Sequence, residues 1–265
     1  AGRAFLELSA QYGEPVIVVM PASARPHVKQ LATRSIPPLL VLIEDSNYPD
    51  AIRFVDLALE CYADDLVREG GCFNVARRDS MGVPFLRAIQ AIGHLPSWYV
   101  QAVGSGTGAI AAWEGARRLV AAGEVVPAQM RLLLVQNAPF APMVDAWQHR
   151  SRQLGEMPAE DVRRRLSQVA ARVLSNAKPP YGVAGGVYDA LVDTTGEMVA
   201  VDNAAVFAAQ NEMAREIDFR PCEAAATAYA GLKNACSTRI VGANDEVLLH
   251  LTGGGIDVLR DEGAV

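Results

Sequence analysis

Continuous apolar runs separated by helical patterns constrain the fold of this chain more than any other feature. The runs PVIVVM at 15–20, PPLLVLIE at 37–44 and RLLLVQ at 131–136 lack the alternation expected of a strand with one face in water. Strands that are apolar on both faces are typical of parallel sheets covered by helices. Between these runs, apolar residues recur every three or four positions, as over 49–63. We therefore expect an α/β fold with mostly parallel sheets and helices on both faces.

The same patterns predict the order of the elements and a division into two lobes. Helices are predicted at 3–12, 49–63, 79–92, 107–122, 158–174, 203–217 and 221–234, and strands at 15–20, 37–44, 72–75, 98–103, 131–136 and 246–251. A chain of 265 residues is long enough for more than one hydrophobic core. We predict two three-layer α/β lobes, a smaller one over residues 1–80 and a larger one over residues 81–265.

Composition and charge exclude several classes of function. The net charge of −6 leaves no basic face for a nucleic-acid backbone. The four cysteines have no CxxC pair and the four histidines no HxxxH or HExxH pair, so we predict no metal site. No apolar run reaches the ~20 residues of a membrane span, and we predict a cytoplasmic protein. The chain opens without Met directly into a helical pattern, which we expect of the remainder of a longer protein.

A glycine-rich turn follows the apolar strand predicted at 98–103. Its residues are Gly104, Ser105, Gly106, Thr107 and Gly108, and a helical pattern begins within it. Glycines let a backbone approach an anion closely, and the free N–H groups at a helix start point toward it. Ser105 and Thr107 can add hydroxyl donors. The turn therefore predicts a phosphate site, with a tight ligand-free turn as the alternative interpretation.

The spacing of the glycines disfavours a dinucleotide or a nucleoside triphosphate at this turn. A dinucleotide fold requires GxGxxG, whereas the third glycine here comes one position early. It also requires an acidic residue after the next strand, but Glu124 precedes that strand. The Walker pattern GxxxxGK[ST] is absent from the sequence.

Several blocks of the sequence, in order along the chain, resemble one enzyme family. They are FNVARRDSMG at 73–82, YVQAVGSGTG at 99–108, QNAPFAPM at 136–143, GGVYDA at 185–190 and LTGGG at 251–255. These blocks are similar to those of the cysteate synthase and threonine synthase family, fold type II pyridoxal-phosphate enzymes of the tryptophan synthase β-like superfamily. The resemblance implies that residues 81–265 form the cofactor-binding lobe, and that pyridoxal 5′-phosphate lies between two lobes.

The resemblance also implies roles for particular residues. The turn Gly104–Gly108 would bind the phosphate of the cofactor, and Thr252 would place its hydroxyl on the pyridine nitrogen. A neutral hydroxyl there leaves the ring nitrogen largely unprotonated, which moderates carbanion formation and favours elimination and replacement. The alternative interpretation of Thr252 is a simple turn at the end of a strand.

Asn74, Arg77 and Arg78 occupy the segment in which threonine synthases bind the phosphate of the substrate. The resemblance therefore makes them substrate-binding candidates, and a guanidinium fork suits a phosphate dianion well. The alternative is an exposed or salt-bridged arginine pair, with the adjacent Asp79 available to neutralise one of the two.

No lysine of this chain matches the Schiff-base lysine of the family. That lysine lies upstream of an asparagine-containing block for which the sequence has no counterpart. Lys29, Lys178 and Lys233 are the three lysines present, and none occupies the expected position. The catalytic lysine is therefore not assigned, and the chain is either part of a longer protein or a degenerate homologue.

The function implied by the resemblance is replacement of the phosphate group of an O-phospho amino acid. The blocks NVARRD and QNAPFAPM are more similar to cysteate synthase, which converts O-phosphoserine and sulfite to L-cysteate and phosphate. Threonine synthase, acting on O-phosphohomoserine and water, is the alternative. A non-catalytic relative that binds a phosphorylated amino acid is a second alternative. A homodimer without nucleic-acid or membrane partners is the family expectation.

Overall fold

The structure, a computed structural model, describes residues 2–28, 38–217 and 220–254 of the chain. Contacts divide the chain into two units, one within Ala1–Arg68 and the other comprising Glu69–Gly254. The candidate phosphate turn, Thr252 and the candidate substrate residues at 74–78 all belong to the second unit. Within the described ranges, no helix is both long and apolar enough to cross a membrane.

The first unit is built on a pair of parallel strands. Its elements are α1 (Gly2–Tyr12), β1 (Ile17–Pro21), a 3-10 helix (Ala22–His27), β2 (Leu39–Ile43) and α2 (Tyr48–Cys61). A capping box starts α2, because Asn47 Oδ1 accepts the amide of Asp50 and the Asp50 carboxylate accepts the amide of Asn47. Leu6, Val18 and Val28 form a small core in this unit.

The second unit is a four-stranded parallel sheet between two layers of helices. Its elements are a 3-10 helix (Gly71–Phe73), α3 (Val75–Ile92), β3 (Trp98–Ala102), α4 (Thr107–Ala121), β4 (Arg131–Asn137), α5 (Pro142–Gln148), α6 (Ala159–Gln168), a 3-10 helix (Arg172–Leu174), α7 (Val187–Asp193), β5 (Glu197–Val201), α8 (Asn203–Glu216), α9 (Glu223–Ser237) and β6 (Val247–Leu249). The strand order is β5-β4-β3-β6. Parallel pairing brings the carboxyl ends of all four strands to one edge.

The two faces of the sheet bury separate cores. Tyr99 faces the layer of α3, α4, α5 and α7, whereas Trp98 and Val100 face the layer of α8 and α9. Successive side chains of a strand point to opposite faces, so a central strand covered on both sides is buried along its whole length. All five residues of β3 are buried, as this requires. The predicted α/β fold with parallel sheets is confirmed.

Several predicted elements differ from the observed ones. The predicted strand at 72–75 is wrong, because Gly71–Phe73 form a 3-10 helix and α3 begins at Val75. Asn74 caps α3 by accepting the amide of Arg77 at 3.1 Å. The helix therefore begins at Val75, four residues before the start predicted from the apolar pattern. The helix predicted at 158–174 ends at Gln168. The apolar patterns also do not predict α5, α7 and β5, which are short elements of five to seven residues.

The predicted lobe boundary between residues 80 and 81 falls inside α3, which runs from Val75 to Ile92. The contacts instead separate the two units between Arg68 and Glu69. A helix stabilised by one hydrogen bond per residue is a cooperative element, so the division falls in the irregular segment before it. That the units are the smaller and the larger lobe of an enzyme stays a prediction.

Candidate active site

The glycine-rich turn joins the carboxyl end of β3 to the start of α4. Gly106 adopts a left-handed conformation with φ of +79°, the region in which glycine is favoured. A Cβ on Gly106 would overlap Cγ2 of Val187, the first residue of α7. A Cβ on Gly104 would lie 3.1 Å from the backbone of Leu174. Glycine is therefore required in this turn both by the left-handed backbone at Gly106 and by the close packing of neighbouring atoms against Gly104 and Gly106.

The amides of the turn are largely without acceptors. The carbonyl of Gly106 accepts the amide of Ile110 at 3.0 Å, which begins the helical pattern of hydrogen bonds. The amides of Ser105, Gly106, Gly108 and Ala109 donate to no acceptor in the part of the chain that the structure describes. Such amides at a helix start, reinforced by the helix dipole, are the donor set that binds a phosphate group.

Two hydroxyl groups accompany these amides. Ser105 Oγ and Thr107 Oγ1 are 3.0 Å apart, and Ser105 Oγ also accepts the Thr107 amide at 3.5 Å. Thr107 is 1% exposed, whereas Ser105 is half-buried and accessible to a ligand. Backbone donors and a hydroxyl donor fit a phosphate ester, so the residues present are suited to the phosphate of pyridoxal phosphate.

Thr252 lies at the same edge of the sheet as the turn. Strand β6 pairs with β3 in the register Val100 to Leu249, and the amide of His250 donates to the carbonyl of Val100 at 2.9 Å. Thr252 follows two residues later and is exposed. Its hydroxyl has no hydrogen-bond partner among the residues described, so it is available to a ligand. The fold thus brings two distant parts of the sequence, 104–108 and 252, to neighbouring strand ends. Gly255, the last residue of the LTGGG block, lies outside the described residues.

Ser175 is a further candidate residue, which no motif of the sequence indicates. The preceding residue, Leu174, packs its backbone against Gly104. Ser175 is 7% exposed, and its Oγ is buried without a hydrogen-bond partner in the described ranges. A buried hydroxyl without a partner costs free energy unless a ligand or water completes its bonding. Beside the glycine-rich turn, this hydroxyl is a candidate ligand contact.

Asn137 holds the segment that carries Ser175. Its Nδ2 donates to the carbonyl of Val201 at 3.0 Å, and its Oδ1 accepts the amide of Ala171 at 3.2 Å. Asn137 is 2% exposed and ends β4, so it ties two strand ends to the 3-10 helix at Arg172–Leu174. A buried polar pair, Gln136 and Asn137, at the end of an apolar strand was the sequence signal for this role.

The structure gives each candidate substrate-binding arginine a carboxylate partner. Arg77 pairs with Glu69 at 2.5 Å. Arg78 pairs with Glu114 on α4 and donates to the carbonyls of Gly185 at 3.1 Å and Cys72 at 3.5 Å. Glu114 lies seven residues after Thr107, which is about 10 Å along a helix. The two guanidinium groups therefore bond to the protein, and their predicted role toward a substrate phosphate stays a prediction.

The partners of these arginines differ from the expected one. Asp79, which was available to neutralise one of them under the alternative interpretation, instead accepts from Arg118 at 2.6 Å. Along a helix, neighbouring residues point in different directions, so Asp79 faces α4 at another position. Asn74, the third candidate, uses its Nδ2 to donate to the carbonyl of Glu69 at 2.7 Å and its Oδ1 to cap α3. Its side-chain amide is therefore also engaged within the protein.

Neither of the two described lysines has a hydrogen bond or ion pair with the turn. Lys233 pairs with Glu212 and lies 5.7 Å from the ring centroid of Tyr229, near the end of α9. Lys178 is exposed in an irregular segment, with its amide bonded to Asn176 Oδ1. Lys29 lies outside the described residues. The Schiff-base lysine is therefore unassigned, as it was from the sequence.

Comparison with known proteins identifies the family of the chain. The family described as pyridoxal-phosphate dependent enzyme matches residues 1–253. The chain belongs to this family. The match confirms the resemblance inferred from the sequence, and pyridoxal phosphate as the cofactor that defines the family.

Relatives named cysteate synthase are similar to the chain over nearly its whole length. That of Methanospirillum hungatei JF-1 is 42% identical over 254 residues, which cover 96% of this chain and 59% of the relative. That of Methanoregula boonei is 44% identical over 263 residues, which cover 98% of this chain and 61% of the relative. The chain thus spans about three fifths of the length of these relatives.

Solved structures with low sequence identity share the fold. Serine racemase from Dictyostelium discoideum matches with a TM-score of 0.65 at 12% identity, covering 96% of this chain and 73% of that one. The T.th. threonine deaminase matches with a TM-score of 0.63 at 12% identity, covering 96% of this chain and 74% of that one. These similarities confirm the fold type II architecture predicted for the chain.

Proposed function

We propose that the protein replaces the phosphate group of an O-phospho amino acid, with pyridoxal 5′-phosphate as its cofactor, and that it is a cysteate synthase. The substrates would be O-phosphoserine and sulfite, and the products L-cysteate and phosphate. Two observations support the proposal. The relatives with 42% and 44% identity are named cysteate synthase, and the turn at 104–108 presents acceptor-free amides at the strand edge that also carries Thr252.

When bound, the cofactor supplies an electron sink that stabilises negative charge at the α-carbon of an amino acid. The residues of this chain would hold it at both ends. The amides of Ser105, Gly106, Gly108 and Ala109 would bind the phosphate, with Ser105 Oγ as an additional donor. Thr252 would direct its hydroxyl to the pyridine nitrogen. Both groups follow the ends of paired strands of one sheet, which would limit the movement of a bound ring.

The substrate phosphate would require cationic donors. Arg78 can serve only if a dianionic phosphate competes with Glu114 for its guanidinium group. The pair is partly buried, with side-chain exposures of 20% and 27%, so the exchange would replace one charge-assisted contact by another. Arg77 is held by Glu69 in the same way. We retain Arg77 and Arg78 as proposed substrate contacts on this basis, and Asn74 because it lies in the same segment.

A binding experiment tests the placement of the cofactor phosphate. Pyridoxine 5′-phosphate carries the ring and the phosphate but no aldehyde, so its binding does not require a lysine. We expect calorimetric titration to show that it binds much more tightly than pyridoxine. The Ser105→Ala variant should lose about tenfold of this preference, since one hydrogen bond to a charged group contributes about 1.5 kcal/mol or more.

Ser167→Ala is the matched control, because Ser167 is an exposed serine of α6 whose Oγ donates only to the carbonyl of Arg164. The control should retain the full preference for the phosphorylated compound. Equal affinities of the unmodified protein for pyridoxine 5′-phosphate and pyridoxine would show that the turn does not bind the phosphate.

A turnover experiment tests the reaction itself. The full-length protein that contains this sequence is loaded with pyridoxal phosphate and supplied with O-phosphoserine and sulfite, and cysteate and inorganic phosphate are measured together. We expect one phosphate per cysteate, and no cysteate without sulfite. Threonine from O-phosphohomoserine would instead identify a threonine synthase. Cofactor binding without turnover of either substrate would indicate a binding protein. The homodimer and the cytoplasmic location stay predictions.

A further inference from the structure

Three polar side chains form a hydrogen-bonded chain beneath the phosphate turn. Tyr99 on β3 donates its hydroxyl proton to Oε1 of Gln101 at 3.1 Å, and the same hydroxyl is 2.5 Å from Nδ1 of His250. Tyr99 is 1% exposed and Gln101 is 5% exposed. The face of the sheet on which Tyr99 lies is otherwise lined by the apolar core under α3 and α4. Polar groups in such a core are costly unless they bond to one another.

The proton of each bond in the chain can be assigned. A carboxamide oxygen only accepts, so the single phenolic proton of Tyr99 goes to Gln101. Nδ1 of His250 must then donate its proton to the Tyr99 oxygen. Burial lowers the pKa of His250, which favours the neutral ring. A neutral ring that donates from Nδ1 is the tautomer with its proton on Nδ1. Burial likewise raises the pKa of Tyr99, so the phenol keeps its proton.

The two ends of the chain meet the two proposed cofactor contacts. At one end, a Cβ on Gly108 would lie 2.6 Å from Nε2 of Gln101, so the carboxamide packs directly under the first turn of α4. At the other end, His250 precedes Thr252 by two residues and bonds to β3 through its amide. The chain therefore connects the start of α4 to the end of β6 through Tyr99.

We propose that Tyr99, Gln101 and His250 are positioning residues that set the phosphate turn at a fixed place relative to Thr252. This inference rests on the proposed function, because it assumes that the turn binds a phosphate ester. Gln101 supports Gly108 from below, Tyr99 orients the carboxamide, and His250 orients the hydroxyl of Tyr99. Without the chain, the carboxamide can rotate and the turn loses its support, while the sheet keeps its backbone pairing.

The test compares phosphate preference among variants, with pyridoxine 5′-phosphate and pyridoxine as the two probes. The ratio of their dissociation constants cancels general losses of binding-competent protein. His250→Leu removes the donor, and we expect the ratio to fall about tenfold, as for the loss of one coupled hydrogen bond. His250→Asn places an N–H near the position of Nδ1, and we expect it to restore most of the ratio.

His94→Leu is the matched control. His94 contacts Glu246, just before β6, at 2.6 Å, but it is exposed and lies at the other end of the strand. We expect this variant to keep the full ratio. Should His250→Leu fail to fold, Tyr99→Phe removes the central hydroxyl and keeps the ring, and the same tenfold fall is expected.

The outcomes separate this inference from the proposed function. If the unmodified protein does not prefer pyridoxine 5′-phosphate, the turn is not a phosphate site and both ideas are refuted. If the unmodified protein prefers it and His250→Leu or Tyr99→Phe keeps the same ratio, the positioning role alone is refuted. A fall in the ratio that His250→Asn does not reverse would also refute it, because the loss would then follow from the lost ring and not from the lost hydrogen bond.

Discussion

Gly106 is the position at which the requirements of the fold and of the ligand coincide, and a double-mutant cycle with Val187 can separate them. At Gly106, φ is +79° and an added Cβ would overlap Cγ2 of Val187. Gly123, after α4, has φ of +73° and no atom within 4 Å of an added Cβ. Alanine therefore has the same backbone strain at both positions, but its Cβ overlaps a side chain only at position 106.

The expected magnitudes follow from these two terms. Left-handed backbone at alanine costs about 1–2 kcal/mol. The overlap with Val187 forces a shift in a packed core, which costs about 1–3 kcal/mol more. We therefore expect Gly106→Ala to lower the free energy of unfolding by about 2–5 kcal/mol, and Gly123→Ala by about 1–2 kcal/mol.

Val187→Ala removes the atom that causes the overlap. The remaining Cβ of residue 187 would lie 3.6 Å from a Cβ at Gly106, which is ordinary contact. Val187 is fully buried, so its truncation alone should cost about 2 kcal/mol. In this background Gly106→Ala should cost only the backbone term of about 1–2 kcal/mol. The two substitutions should therefore be less destabilising together than the sum of their separate effects, by about 1–3 kcal/mol.

Urea unfolding followed by tryptophan fluorescence measures these values. All three tryptophans (Trp98, Trp113 and Trp147) lie in Glu69–Gly254, so the signal reports the unit that contains the turn. Additive effects of the two substitutions, or equal losses for Gly106→Ala and Gly123→Ala, would refute the role of Val187. In that case, loss of cofactor by a Gly106 variant would be attributable to a lost contact with the ligand. The structure instead predicts that such a variant loses the cofactor because the added Cβ disturbs the packing against Val187.

Other contacts lead to further predictions. Arg78→Met should lower the free energy of unfolding by about 2 kcal/mol, because Glu114 loses its partner in a partly buried site. Adding Glu114→Gln should recover part of this loss, and full stability of Arg78→Met would exclude the structural role. The bond to Glu246 raises the pKa of His94 above its ordinary value of 6.5, so the pair should stabilise the fold below that pH and lose its effect as the pH rises through the folded-state pKa. The difference in Tm between the unmodified protein and His94→Gln, about 1 °C at pH 5.5, should vanish by pH 8.5, and a difference independent of pH would contradict this. Thr252→Val should leave Tm unchanged, because Thr252 is exposed. The same variant should bind pyridoxine 5′-phosphate several-fold more weakly, because it lacks the hydroxyl. Unchanged affinity for this compound would show that Thr252 is not part of the site.

Much of the second unit is predictable from the sequence because its central strands are buried on both faces. The strands at 98–103 and 131–136 and the helix at 107–122 were predicted to within one residue at each end. Short elements were not, because five to seven residues with one or two buried positions carry little periodic signal. The start of α3 was also missed, since a side-chain cap at Asn74 determined it.

The candidate site divides in the same way. The sequence by itself determined the glycine-rich turn, its attachment to an apolar strand and a helix, and the membership of a pyridoxal-phosphate enzyme family. These features depend on local backbone freedom and on short blocks of residues, which can be read along the chain.

Only the tertiary structure decided which residues meet at the turn and which are already engaged elsewhere. Strand order placed β6 beside β3, so Thr252 and His250 lie at the same edge of the sheet as the turn although more than 140 residues separate them from it in the sequence. The packing of α3 against α4 allows Arg78 to pair with Glu114, and Asp79 with Arg118. Side-chain direction in a folded protein follows from the crossing of elements distant in sequence, and composition and spacing carry no information about such crossings.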